Sequence, residues 1–453
     1  MKPIKRNSLL PWLATALALG LAGPARTQTF TNLRSLSGAG DGASPYAGLI
    51  LSGATLYGAA SDGGSDGNGT VFAVGTDGSS FTNLHSFALG EGINPDGVLL
   101  LSGFTLYGTA GQGGSDGNGT IFAINTDGTS LRNLHNFSGG GDGANPYAGL
   151  VLSGDTLYGA APQGGSEGNG AIFGVNTDGT AFRTLHSFTG GDDGAGPVGG
   201  LLLSGNTLYG TATGGGASGN GAVFAVNTDG ASFANLYSFT GGDDGSSPNT
   251  GLVLSGNTLY GTAGGADGGV VFAINTDGTA FTNLHNFTGG VDGAGPNTVI
   301  LSGNTLYGTA SGGGAAGNGM VFAVNTDGSS FTNLHSFTAN SSPGNTNSDG
   351  ALPVAGLVLS GNTVYGTTVL GGSSGNGAVF AIILGNAAST PPAPIPLEIQ
   401  SAGGAVVLSW TNSAFALQSA PGVTGPFTTL PGATSPHTIP AAGTPQFFRL
   451  ISN

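Results

Sequence analysis

Residues 251–287 read GLVLSGNTLYGTAGGADGGVVFAINTDGTAFTNLHNF, and this stretch decides the fold. Gly251–Leu254 is a short apolar run closed by the turn Ser255-Gly256-Asn257. Thr258–Ala263 carries Leu259 and Tyr260, and a Gly-rich loop leads to Val270–Asn275, with Val271, Phe272 and Ile274. Thr276-Asp277-Gly278 is a strong hairpin signal, and Phe281–Phe287 follows it. Short runs rich in Val, Ile, Phe, Tyr and Thr, joined by Asp-Gly and Gly-Asn turns, predict four antiparallel strands.

Outward from this unit the pattern recurs seven times. Its tyrosine falls at Tyr57, Tyr107, Tyr158, Tyr209, Tyr260, Tyr307 and Tyr365, about 50 residues apart. The ends are offset. The segment Phe30–Leu36 (FTNLRSL) is a fourth strand with no first three before it, and the last unit, Gly356–Leu384, has three strands and no fourth. A closed ring uses that offset, because the early strand completes the last sheet and removes an exposed edge. The expectation is an all-β, seven-bladed β-propeller over residues 30–384, with a β-solenoid as the competing architecture. The Leu-Tyr-Gly tyrosines are expected between blades.

Residues 30–384 resemble the bacterial Gloeo/Verruco tandem repeat, whose pattern of Leu-Tyr-Gly, a Gly-rich loop, Val-Phe and a Phe-x-x-Leu-x-x-Phe strand they match with small variations such as Val364 and Leu131. The resemblance implies an exported protein of propeller architecture and assigns no catalytic residue. The fifth unit departs from the pattern with a short loop, Gly264–Gly269, and Ala339–Gly350 is long.

The N-terminus has a secretory signal's layout: basic Lys2, Lys5 and Arg6, an apolar Leu9–Leu21, and small residues suited to cleavage after Ala25. The apolar stretch is short for a membrane span and contains Pro11, so no transmembrane anchor is expected. With no cysteine, neither lipoprotein attachment through one nor disulfide bracing is available. Removal of residues 1–25 would take the formal charge from −15 to −18. That leaves no basic footprint for nucleic acid. After Leu384 a Pro/Ala-rich linker, residues 385–396, leads to residues 397–453, whose alternation (Val406, Leu408, Trp410) is similar to a small fibronectin type III or immunoglobulin-like β-sandwich.

In a four-stranded blade, the loops joining second to third strand and fourth strand to the next blade share one face. Fifteen acidic residues sort to that long-loop face and seven to the short-turn face. Each inter-blade loop reads acid-Gly-x-x-Pro, a calcium-ligand pattern or an Asx turn, with its sevenfold repetition favouring the turn. Better calcium candidates are the loops holding Asp66 and Asn68, Asp116 and Asn118, and Glu167 and Asn169, where carboxylate and amide oxygens alternate. Tyr46 and Tyr147 follow the inter-blade proline in only two units and could line a ligand surface. The doublets Asp192/Asp193 and Asp243/Asp244 are the carboxylates that a glycosidase or lyase would converge in the central funnel. Five histidines, His85, His135, His186, His285 and His335, share one fourth-strand position and read as packing residues, since equivalent places on separate blades lie too far apart for one metal.

No nucleophile–His–acid grouping or phosphate loop breaks the repeat. The function expected is therefore that of a secreted or cell-surface, non-catalytic, monomeric protein whose acidic long-loop face engages a glycan or a surface protein. Calcium is the one cofactor under consideration. An extracellular scaffold and a carboxylate-based hydrolase or lyase are the alternatives.

Overall fold

The computed structural model describes residues 28–341, 344–385, 398–402, 405–409, 415–420, 428–430, 433–440 and 447–452. The signal segment (1–25), nearly all of the linker (385–396) and Trp410 lie outside the described residues. Two compact units form, one within Thr27–Gly385 and one within the C-terminal residues.

The first unit is a ring of seven antiparallel sheets. Blade 4 is typical, with strands Leu202–Ser204, Thr207–Ala212, Ala222–Asn227 and Ala234–Ser238 paired in sequence order. Blade 7 comprises Val358–Ser360, Thr363–Thr368 and Ala378–Ile383, and its fourth strand is Thr29–Ser35. That strand runs antiparallel to Ala378–Ile383, with Phe30 opposite Ile382 and Asn32 opposite Phe380. The offset ends thus close a ring, and the solenoid alternative falls away. Blade 6 differs slightly: Ala294–Pro296 adds a fifth short strand against Thr305–Gly312.

Third strands supply the centre of each blade and are buried on both faces, as in Ala222–Asn227. Their phenylalanines meet the phenylalanine that ends the preceding blade's fourth strand. Phe188 meets Phe224 edge-on with ring centroids 5.2 Å apart, and Phe337 meets Phe380 at 5.4 Å. At the closing interface Leu36 takes that place beside Phe72. Edge-to-face packing of fully buried rings adds to the transfer of apolar area from water.

Within a blade, the same third-strand ring reaches across the glycine of Leu-Tyr-Gly. A Cβ on Gly58 would lie 2.6 Å from Phe72 Cζ and 2.8 Å from Leu49 Cδ2. Only glycine leaves room for the ring. Gly58→Ala should cost about 1–3 kcal/mol by overpacking, read from the urea midpoint; an unchanged midpoint would mean the ring moves aside freely. The adjoining tyrosines pack between blades: Tyr107, Tyr158, Tyr260 and Tyr365 are buried and the other three half-buried.

The C-terminal unit has two three-stranded antiparallel sheets. One holds Glu398–Ala402, Ala405–Ser409 and His437–Pro440; the other holds Thr428–Thr429, Phe415–Ala420 and Phe447–Ser452. Leu408 and Leu417, one from each sheet, are buried with Leu430, Ala433, Ile439 and Phe448 packed against them. Among the described residues, no helix is long and apolar enough to cross a membrane.

Candidate functional site

The two kinds of long loop meet on one face of the ring. Ala43, in the loop leading into blade 1, bridges Asp62 in that blade's second-to-third-strand loop, and the same bridge recurs as Ala144 with Gln163 and Ala195 with Gly214. The inter-blade proline then turns the chain inward to start the innermost strand. The residues that follow it, one set from each blade, line a central cavity of about 710 Å³.

The repeat varies most where this cavity begins. The residue after the proline is Tyr46, Asp96, Tyr147, Val198, Asn249, Asn297 and Val354 in successive blades, and all seven line the cavity. Behind them stand mostly small residues, among them Gly48, Gly149, Gly200, Gly251 and Gly356. The frame is therefore repetitive and its inner rim is individual. Tyr46 and Tyr147 are both among the residues that line this cavity.

Asp96 was hidden among the acids of the long-loop face. Its signal was positional: it stands where other blades carry tyrosine, valine or asparagine. Ser61, in the preceding blade, donates its hydroxyl to Asp96 Oδ1. Burial pushes the Asp96 carboxyl up to about 6, against the Ser61 hydrogen bond and reinforced by the nearby Asp62 charge. Burial, followed by the charges of Asp96 and Asp62, likewise raises the Tyr46 hydroxyl above its ordinary value. The Tyr147 ring lies over Gly111, where a Cβ would come within 2.6 Å of Tyr147 Cδ1. Ser61 and Gly111 occupy the same repeat position, so these two rim residues are each matched by the residue beside them in the preceding blade.

The folded protein holds the Asp96 proton more tightly than the unfolded chain does. Ionisation therefore works against the fold as pH rises from about 4 to about 6, and the penalty is complete above that. Asp96→Asn should then stabilise the ring at pH 7 by about 1–2 kcal/mol, a value reduced from the full shift because the side chain is partly exposed. No gain is expected at pH 4. Thermal melts at both values check this, and an equal shift at the two would refute it.

The aspartate doublets stand elsewhere. Asp193 accepts from Thr189 N at 2.9 Å, from the Thr189 hydroxyl at 2.5 Å and from His186 Nε2 at 3.1 Å. Asp244 has the same bonds from Thr240 at 2.8 and 2.5 Å, and Tyr237 donates to it at 3.0 Å. Burial favours the protonated acids, but these hydrogen bonds outweigh it and hold both carboxyls below the ordinary range. Asp192 and Asp243 are exposed; their backbone carbonyls accept from Asn235 and Asn283. None of the four lines the cavity.

Asp193 and Asp244 belong to a sevenfold clasp. Arg34 pairs with Asp41 at 2.7 Å, His85 with Glu91 at 2.8 Å, His135 with Asp142 at 3.0 Å and His335 with Asp349 at 2.9 Å; His285 stands 3.5 Å from Asp292. In six of the seven, the clasp side chain also lies on an aromatic ring of the next blade. His135 stacks on Phe182 at 3.7 Å and Tyr237 on Phe281 at 4.0 Å, while Arg34 lies over Phe81 at 4.5 Å. One side chain thus caps its own loop and covers the neighbouring blade.

The calcium candidates lie at exposed loop tips. Asn169 donates its amide to Thr189 O at 2.9 Å and Glu167 O at 3.3 Å, and Asn118 donates to Asp116 O at 3.2 Å. Asp66 is exposed beside Asn68, whose carbonyl accepts from Asn94 N at 3.1 Å. These asparagines tie second-to-third-strand loops to the chain around them. Among the described residues, no three His, Asp or Glu side chains gather as a metal-ligand group.

Comparison with known proteins yields likeness of fold. A GH74 enzyme from Niastella koreensis is 16% identical, with a TM-score of 0.51, over 84% of this chain and 59% of that one. An oligogalacturonate lyase in complex with manganese is 10% identical at a TM-score of 0.50, over 80% and 95%. The oligogalacturonate lyase of Vibrio parahaemolyticus is 11% identical at 0.49, over 78% and 93%. No curated protein matches the chain. The model of the Gloeobacter/Verrucomicrobia repeat matches residues 24–202, 131–302 and 262–391, three overlapping stretches that cover the ring. On that match, and on the seven blades its repeats build, the chain belongs to the Gloeobacter/Verrucomicrobia repeat family.

Proposed function

We propose that this is a secreted or cell-surface, non-catalytic binding protein whose ligand is a glycan held at the long-loop mouth of the central cavity. The observation that carries the reading is the contrast between a repetitive frame and an individual rim: Tyr46, Asp96, Tyr147, Asn249 and Asn297 face one cavity. A volume of about 710 Å³ falls in the range of sites for small ligands and chain ends. Tyrosine faces suit sugar rings, and asparagine amides offer both donors and acceptors to hydroxyls. Among the described residues that line the cavity, Asp96 is the one carboxylate, where hydrolysis by paired carboxylates uses two. The signal-like N-terminus supports export, and the C-terminal unit would serve as spacer or attachment.

Thermal unfolding against a polysaccharide panel tests this, since a ligand of the native state alone raises its stability. A glycan-specific rise, lost in Tyr46→Ala and Tyr147→Ala and independent of calcium or chelator, is expected. If no glycan gives a rise, the scaffold reading and a protein partner take precedence. A rise that needs calcium would return the Asp66, Asp116 and Glu167 loops to the site.

A further inference from the structure

The cavity has a charge character that narrows its ligand. Among the described residues lining it, Asp96 is the only acid and there is no lysine, arginine or histidine. Ser61 satisfies Asp96 Oδ1, and among the described residues no side chain or backbone group bonds Oδ2. Asp62 adds a second negative charge close enough to act on both Asp96 and Tyr46. The loops into the preceding and following blades place Tyr46 and Tyr147 on either side of Asp96 in ring order.

Each of these features favours a cation. A partly buried carboxylate without a positive partner is a poor use of burial unless something else supplies the charge. Aromatic faces carry negative potential and attract ammonium groups. A charge-assisted hydrogen bond is about twice as strong as a neutral one. An anionic sugar would meet like charge with no compensating base, and a neutral one would leave Asp96 without a counter-charge.

We propose that the Tyr46–Asp96–Tyr147 sector is a subsite for a protonated amino group, and that the glycan it takes carries an unacetylated amino sugar. This rests on the glycan reading above. The ammonium would donate to Asp96 Oδ2 between the two tyrosines, while Asn249, across the cavity, is placed to meet sugar hydroxyls. Bound cation and bound proton compete for Asp96, whose carboxyl is already pushed up by its surroundings. Affinity for a simple alkylammonium, which keeps its proton throughout this range, should therefore rise between pH 5 and pH 7 as the carboxylate forms.

Calorimetric titration of the whole protein separates the possibilities, using a β-1,4-linked glucosamine tetramer, its fully N-acetylated counterpart and n-butylammonium as a sugar-free probe. The glucosamine tetramer should bind at least about tenfold more tightly than the acetylated one at pH 7. Asp96→Asn, which is expected to fold at least as stably, should abolish that preference. Equal or better binding of the acetylated tetramer, or a preference that survives Asp96→Asn, would overturn the amine subsite and leave the glycan reading standing. Binding of n-butylammonium without either tetramer would keep the cation site and remove the glycan. Silence from all three probes would overturn the amine subsite and leave the glycan reading to the polysaccharide panel.

Discussion

Deleting Thr29–Ser35 is expected to open the ring, destabilising it by at least about 5 kcal/mol, which is comparable to the net stability of a whole domain. The strand supplies a full antiparallel ladder to Ala378–Ile383. It also brings Phe30, stacked on His335 at 4.0 Å and on Phe380 at 5.7 Å, and Arg34, which clasps Asp41. Its loss leaves the buried strand Ala378–Ile383 as an edge, which invites pairing with another chain. Light scattering should find self-association, and denaturant unfolding should begin earlier and lose cooperativity. A synthetic peptide of residues 28–37 should reverse both by adding the missing strand in trans. A truncated protein that stays monomeric with an unchanged midpoint would show that the remaining blades hold the ring without closure.

The second large effect is expected from one interface phenylalanine. Phe188 is fully buried and contacts the rings of Phe224 at 5.2 Å and Phe233 at 5.8 Å, both in the next blade. Phe188→Ala should cost about 3–5 kcal/mol through lost transfer energy and the cavity left behind. A shift in the urea midpoint at constant m-value would measure it. A loss below about 1 kcal/mol would mean that the blades close up around the void and that the interface is held by its clasps instead.

Much of this was legible in the chain. Seven tyrosines about 50 residues apart gave the number of blades, and the isolated Phe30–Leu36 gave the closure, because both are matters of order along the sequence. The fivefold recurrence of histidine excluded a shared metal and left packing; the stacking of His135 on Phe182 has that character. The site was harder. Tyr46 and Tyr147 were visible as departures from the repeat, whereas Asp96 was masked by the general acidity of its face. Its distinction lies in what surrounds it: the Ser61 hydroxyl, the Asp62 charge and the burial that raises its carboxyl to about 6. Those contacts cross from one blade to the next, so no single repeat contains them. Conversely, Asp193 and Asp244 drew notice as doublets, yet each is the ordinary loop acid of its blade, matching Asp142 and Asp292.

The post-proline rim makes the ring a seven-place display. At each place the side chain follows a turn fixed by its proline, and at two of them the immediate backing comes from one residue of the preceding blade, as Ser61 backs Asp96 and Gly111 admits Tyr147. Exchanging such a pair alters one seventh of the rim while leaving the phenylalanine interfaces and clasps untouched. New specificities would then be composed place by place, much as letters are reset in a combination lock, on a frame whose stability is supplied elsewhere.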